Sequence, residues 1–346
     1  MRRARWLLAV AVLGAAGAAL SLGVSYRGFG EERFVDIARG TGSAAVARLL
    51  SDAGVVRYRW QFLAVRALRP RARLQAGEYS FHAAGSPWEV FDRLVRGDVF
   101  FYPLTVPEGQ NMFDIAATLD RLGLIGARQF LEAARDPSGV RDLAPQARTL
   151  EGYLFPDTYR ITRHTTAAQL CAEMTGRFRR AWAEAGGSGA VHPAVTLASL
   201  IEKETARPEE RPLVASVFRN RLVIGMPLDC DPTAIYAAML DGRYQGEISR
   251  SDLESRSPYN TYQSAGLPPG PIASPGLSAL KAALHPAETR YLYFVARPDG
   301  SGAHVFSEQL EAHQRAVGQY RRGTQKAVQA RASGPAPRRE APRASH

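Results

Sequence analysis

The sequence predicts an α+β protein: an N-terminal apolar helix, two small α+β modules, and a larger, mainly helical domain of mixed content. Three observations predict it. From Glu31 to about Gln146 short β-branched or aromatic runs alternate with short amphipathic helices. Part of that stretch is an internal repeat, and the remainder is dense in helix starts followed by apolar stripes. A chain of 346 residues has room for two or three such folded units.

The first element is an uncharged run from Trp6 to Tyr26, built of Leu, Ala, Val and Gly. A run of about twenty such residues matches the ~30 Å hydrocarbon core of a bilayer. Arg2, Arg3 and Arg5 precede it, which by the positive-inside bias keeps the N-terminus cytoplasmic and the body outside. Residues 1–30 are therefore expected to be a cytoplasmic N-terminus and a single-pass membrane anchor, with the body on the extracytoplasmic side. A cleaved signal peptide ending near Ala16-Gly17-Ala18 is the alternative.

Residues 31–102 and 103–146 are read as two related modules. A shift of 69 positions aligns Gly40, Val46, Ala47, Leu50, Gly54, Val55 and Val56 with Gly109, Ile115, Ala116, Leu119, Gly123, Leu124 and Ile125. Each copy reads as a Gly turn, an amphipathic helix and a Gly stop. In the second, Leu104-Thr105-Val106 is a strand and Pro107-Glu108-Gly109 a turn. Strand, turn and helix in this order resemble half of a LysM glycan-binding module. Between the copies, Pro87 to Arg96 is a helix closed by Gly97, and Phe100-Phe101-Tyr102 leads into the next strand.

Residues 147–322 form the third unit. His192-Pro193 opens a helix whose apolar stripe ends in Glu202-Lys203-Glu204-Thr205. Glu202 follows Ala198 by four and Val195 by seven, which places it on that stripe, where desolvation raises a carboxyl pKa. Such an acid suits glycosidic cleavage, whose leaving oxygen needs a proton. Glu204, four after Leu200 and seven after Leu197, competes, and periodicity does not rank the two. Either is equally a surface charge paired with Lys203 or Arg207.

Arg211-Pro212 opens another helix, and Asp231-Pro232-Thr233 a third carrying Tyr236, with Asp231 a candidate N-cap or a group near a cleft. Ser257 to Tyr262, followed by Gly266-Leu267-Pro268-Pro269-Gly270, forms a stiff aromatic loop. Its tyrosines and Asn260 suit sugar rings and N-acetyl amides, or simply pack a turn. From Gly323 to His346, Ala, Pro, Ser and Arg without apolar periodicity predict a disordered basic tail.

The net charge of +11 admits acidic lipid or an anionic wall polymer, but its concentration at the two chain ends argues against nucleic acid. Cys171 and Cys230 show no CxxC spacing, and the seven histidines form no HxxxH or HExxH pair, so neither metal nor cofactor is expected.

Leu150 to Tyr159, Ala198 to Thr205, Val214 to Leu222, Asp231-Pro232-Thr233, Tyr259 to Tyr262, Gly266 to Gly270 and His285-Pro286-Ala287 together resemble the endolytic murein transglycosylase family, MltG- or YceG-like. The resemblance implies a lytic transglycosylase that cuts nascent peptidoglycan strands between N-acetylmuramic acid and N-acetylglucosamine, terminates their elongation and leaves 1,6-anhydro ends. It also implies a glycan cleft, peptidoglycan synthases as partners, and Glu202 as catalytic acid and base. Sugar contacts are expected from Tyr259, Asn260, Thr261, Tyr262, Asp231, Tyr236, Glu151 and Tyr153. Asp229-Cys230 departs from the family's Gln followed by Ser or Thr, and Gln314 from its Asn after His313. A hydrolase with a second acid from Glu204, Asp231 or Glu151, and a non-catalytic wall-binding scaffold, are the alternatives.

Overall fold

The computed structural model describes residues 2–332. It is helix-rich with small two-stranded sheets, and it divides into two units, Met1–Leu104 with Tyr159–Thr165, and Thr105–Thr158 with Thr166–His346.

The first unit contains α1 (Arg2–Ser21), β1 (Arg33–Ile37), α2 (Ser43–Asp52), α3 (Arg59–Leu68), β2 (Gly77–Phe81) and α4 (Pro87–Arg96). β1 and β2 pair antiparallel, Arg33 opposite Phe81 and Ile37 opposite Gly77. Alternation along β1 turns Val35 and Ile37 inward, and they meet Val46, Leu50, Phe62, Val65, Tyr79, Phe91 and Leu94, all buried. Gly54 ends α2 with φ +72°, and a Cβ there would lie 2.8 Å from the Gly28 carbonyl oxygen. α4 is held at both ends. The Ser86 hydroxyl accepts the Glu89 N–H at 3.3 Å, the Glu89 carboxylate accepts the Ser86 N–H at 2.7 Å, and Gly97 stops the helix in the left-handed region.

The N-terminal helix is shorter than the apolar run. Of Trp6 to Tyr26, only the part up to Ser21 is helical, about 24 Å at 1.5 Å per residue. Leu22 is buried in the core of the first unit, the Gln61 amide donates to the Ser21 carbonyl at 3.2 Å, and Tyr26 bridges to Gly85. The end of the run belongs to the folded module, and no described helix is long and apolar enough to cross a membrane.

The second unit takes up the chain within β3 (Tyr102–Val106), followed by α5 (Met112–Arg121), α6 (Ala127–Ala134), a 3-10 turn at Pro137–Val140 and β4 (Asp157–Ile161). β3 pairs with β4, and the chain passes between units within each of these strands. β3 and α5 stand 69 positions after β1 and α2, so both copies of the repeat are strand, helix, helix, strand.

Then come α7 (Ala167–Glu184), α8 (Val191–Glu204), α9 (Arg211–Val223), α10 (Asp231–Leu240), α11 (Arg250–Leu253), α12 (Leu277–Leu284), β5 (Tyr293–Ala296), β6 (His304–Ser307) and α13 (Leu310–Ala332). β5 and β6 pair antiparallel. α8 is apolar on nearly every side and packs against α9, α10 and α12. Its polar positions are satisfied inside: the Ser199 hydroxyl donates to the Thr196 carbonyl at 2.7 Å and accepts the Ile272 N–H at 3.1 Å. α13 continues as helix to Ala332, into the stretch expected to be disordered, and residues 333–346 of that stretch lie outside the described residues. Both cysteines are free and buried.

Ser86→Ala removes one side of the reciprocal cap on α4. It should lower the unfolding free energy by about 1 kcal/mol, read as a lower urea midpoint with an unchanged slope.

Candidate functional site

The last turn of α8 carries two acids two positions apart, about 200° around the helix axis. Their carboxyl groups therefore leave toward different neighbours.

Glu202 goes inward. Its side chain is 5% exposed, Oε1 accepts from Arg211 Nη2 at 2.6 Å, and Oε2 accepts the Gly276 N–H at 2.9 Å. Arg211 opens α9, Gly276 precedes α12, and the same guanidinium approaches Glu108 Oε2 at 3.4 Å in the turn after β3. A Cβ on Gly276 would fall 1.8 Å from Glu108 Oε1, so any larger residue would displace the Glu108 carboxylate from its place beside Arg211. Lys203 adds a bond to the Gly109 carbonyl at 3.1 Å. Burial pushes the Glu202 carboxyl upward while the Gly276 amide and Arg211 draw it back. Both oxygens are engaged in holding α8, α9, α12 and the Glu108 turn together.

Glu204 faces a cavity of about 320 Å³, lined also by Arg221, Asp229, Asp231, Tyr262, Phe294 and His313. Burial raises its proton affinity, the Cys230 thiol lowers it as a donor, Asp231 raises it, and His304 and Arg221 lower it. The walls are fixed. The Tyr262 hydroxyl donates to Asp231 Oδ1 at 2.6 Å, and Arg221 holds Asp229 at 3.2 Å and the Leu228 carbonyl at 3.0 Å. His313 stacks on Tyr293 with ring centroids 5.1 Å apart, and burial together with Arg221 pushes its pKa down, favouring the neutral ring. The cavity thus offers a desolvated carboxyl among hydroxyl, carboxylate and guanidinium groups, the equipment for moving a proton to and from a polar substrate.

Residues 35–319 match the sequence model of the YceG-like family. The chain belongs to this family. It is 32% identical over 307 residues to the endolytic murein transglycosylase of Bacillus subtilis, covering 83% of this chain and 84% of the relative. It is 30% identical over 322 residues to the protein of the same name from Streptococcus pneumoniae, of which 58% is covered. A crystal structure of a yceG-like protein from Listeria monocytogenes aligns with a TM-score of 0.52 at 31% identity, over 82% of this chain and 99% of that one.

Within this YceG-like chain the two glutamates at the end of α8 stand in different settings. Glu202, favoured by resemblance, has both oxygens engaged in a buried ion pair, whereas Glu204 lines the cavity. Of the expected sugar contacts, Tyr262 and Asp231 share that cavity. Asp231 is the first residue of α10 rather than its cap, a place held by Cys230. Tyr259 is half-buried against the Tyr236 ring, centroids 5.2 Å apart.

The other expected contacts are bonded within the protein. Asn260 is fully buried, its amide donating to the carbonyls of Asp252, Leu253 and Ser255 at 2.8 to 3.3 Å while its oxygen accepts the Tyr262 N–H. The Thr261 hydroxyl, also buried, accepts the Cys230 N–H at 3.1 Å and meets Thr233 at 2.9 Å. Tyr153 is buried with its hydroxyl 2.8 Å from His192 Nδ1. Glu151 is buried and accepts the Met112 N–H at 3.0 Å and the Tyr236 hydroxyl at 2.9 Å. Arg221, Asp229, Phe294 and His313 are the cavity residues sequence reasoning missed as a site. Only the Asp229-Cys230 and His313-Gln314 departures, and an arginine in an otherwise apolar stripe, hinted at them.

Burial lifts the Glu151 carboxyl to about 7 from its ordinary 4.5. The folded state then binds this proton more tightly than the unfolded chain, so its contribution is complete below about pH 4.5 and is lost as pH rises to about 7. A shift of this size is worth about 3 kcal/mol. Urea titrations across this range should show that decline in the wild type and not in Glu151→Gln.

Proposed function

We propose that this chain is an endolytic murein transglycosylase that cleaves the β-1,4 bond between N-acetylmuramic acid and N-acetylglucosamine and leaves 1,6-anhydro-muramic ends. The observation that carries this reading is Glu204: a carboxyl with raised proton affinity, facing a polar cavity, in a chain whose relatives bear that name. Glu204 donates its proton to the glycosidic oxygen as the C1–O bond breaks. The resulting carboxylate takes the proton of the muramic C6 hydroxyl as that oxygen bonds to C1, and Glu204 ends as it began. Glycosidases that use water or a covalent intermediate need two carboxylates. An internal hydroxyl is already placed, at effective concentrations of roughly 10⁵ M or more, so one acid and base suffices.

Asp229 and Asp231 in the same cavity support one second reading, a hydrolase in which one of them activates water. It yields reducing ends instead of anhydro ends.

The wider setting belongs to the same proposal. α1 displays Trp6, Leu7, Val10, Val12, Leu13 and Leu20 to its surroundings behind a basic N-terminus, which supports attachment to the inner membrane with the body outside it. Attachment there brings the enzyme to strands as synthases release them, where cleavage terminates elongation. The strand, helix, helix, strand order of each repeat copy supports LysM-like glycan holding.

Mass spectrometry of strands digested by the full chain should find anhydro-muramic ends. Glu204→Gln should lower their formation by 10²-fold or more. Glu202→Gln should melt earlier yet keep turnover per folded molecule within about tenfold, since it disturbs a buried ion pair rather than the proton donor. The opposite pattern, with Glu202→Gln inactive while folded and Glu204→Gln active, would return the role to Glu202.

A further inference from the structure

A second cavity of the second unit, of about 640 Å³, opens beside the pair of Glu202 and Arg211, with Glu108 in its wall. Its other walls come from the end of α7, the start of α9 and one side of α12. Ala185, Pro212, Leu277 and Ala282 give it apolar surface, and no Phe, Tyr or Trp lines it to receive the flat face of a sugar. His285-Pro286-Ala287, which the activity leaves without a role, shapes it. Pro286 cannot continue α12, and the Ala287 N–H donates to the Pro212 carbonyl at 3.0 Å, which ties the end of α12 to the start of α9 and sets His285 in the same cavity as Pro212.

The polar groups carry both signs of charge. Ser278, Lys281 and His285 follow one another by three and four residues, so their side chains leave α12 on one side. None of these three side chains has a hydrogen-bonding or ionic partner among the described residues, and Lys281 brings an unneutralised ammonium. Glu108 brings the opposite charge. Its side chain is 48% exposed, and Arg211, its partner at 3.4 Å, stands closer to Glu202, at 2.6 Å. One guanidinium shared by two carboxylates leaves that group with a negative charge to spare. A ligand complementary to the cavity therefore carries a carboxylate and an ammonium on one chain, with hydrogen-bonding groups and small apolar side groups between them. That is a peptide and not a neutral saccharide. In peptidoglycan such a chain hangs from the muramic lactyl group, a stem peptide built of alanine, glutamate and a diamino acid.

We propose that this cavity binds a stem peptide of the strand being cut: Lys281 takes a peptide carboxylate, Glu108 the ammonium of the diamino acid, and Ser278 and His285 the peptide groups between. The inference rests on peptidoglycan being the substrate, and it makes the strand recognised by its peptides as well as its sugars. Its effect belongs to binding, and it holds whichever glutamate of α8 moves the proton.

The test gives the full chain peptide-bearing glycan strands and the same strands stripped of peptide by an amidase, and compares wild type with Lys281→Met, Lys281→Arg and Ser278→Phe. Wild type should show a KM about five- to tenfold lower on the peptide-bearing strands. Lys281→Met removes the charge from an exposed position and Ser278→Phe fills the cavity. Both should abolish the preference by raising KM on peptide-bearing strands with kcat unchanged, and Lys281→Arg should keep it, whereas a merely structural role moves both substrates together. Calorimetry with a soluble disaccharide-peptide and its bare disaccharide reads the same preference without catalysis. Equal KM and equal binding of the two forms by wild type overturn the proposal and leave the proposed activity standing. A preference that survives both Lys281→Met and Ser278→Phe overturns the site. No loss of preference when the free amines of the strands are acetylated overturns the part given to Glu108. Peptide-dependent binding that Lys281→Met abolishes, in a chain that cleaves neither strand, upholds the site and overturns the activity instead.

Discussion

The buried pair of Glu202 and Arg211 is the constraint around which the second unit is arranged. Two nearly inaccessible charges cost several kcal/mol each to desolvate, and their attraction offsets this only if the remaining hydrogen-bonding capacity is also met. The Gly276 amide meets it on one carboxylate oxygen and Glu108 flanks the guanidinium. Four separate stretches of chain are thereby brought to one point: the end of α8, the start of α9, the start of α12 and the turn after β3. Removing either charge leaves a buried partner short of its counter-charge, which costs stability at the point where these stretches meet.

A second set of buried polar groups shapes the loop that closes the Glu204 cavity. The segment from Ser257 to Pro271 contains too many prolines and glycines to support itself by regular hydrogen bonding. Asn260 substitutes for it by gathering three carbonyls, and Thr233 with Thr261 fixes Cys230 just ahead of α10. This fixes Asp231 and Tyr262 with respect to each other, and both with respect to Glu204. A side chain whose every donor and acceptor is used internally is lost to the substrate but defines the position of its neighbours.

This distinction explains what could be seen in the sequence. The helices and the repeat were legible because they are local: Val46, Ala47 and Leu50 pack one face of α2, and their counterparts Ile115, Ala116 and Leu119 do the same in α5. The repeat lost its register after the second helix, since β2 and β4 stand 80 positions apart and not 69. Asn260 and Thr261 looked like available polar groups because nothing local reveals that Asp252, Leu253 and Cys230 surround them. The apolar run after Trp6 looked like a continuous span, and no local signal marks the packing of Leu22, the Gln61 bond to Ser21 or the Tyr26–Gly85 bridge that tie its end to the module. His313 and Phe294 reach the cavity from elements about a hundred residues downstream of Glu204, beyond any periodic signal.

The choice between Glu202 and Glu204 shows the limit most plainly. Each follows two apolar residues at spacings of four and seven, so the amphipathic pattern assigns both to a buried surface and is right about both. Burial is not the property that separates them. An acid fit for proton transfer must be desolvated and yet have an oxygen that no cation holds, and that depends on where Arg211 and Arg221 fall after the non-helical stretch from Thr205 to Glu210. Arg211 lies 2.6 Å from Glu202 and occupies one of its oxygens, while Arg221 is spent on Asp229 and on the carbonyls of Pro227, Leu228 and Leu292. Burial above all, and then Asp231 repelling negative charge, raise the proton affinity of Glu204 above that of a carboxyl in water, while the Cys230 thiol, His304 and Arg221 draw it part of the way back. The settings of the two acids thus differ as much through what the two arginines bind as through their places on the helix.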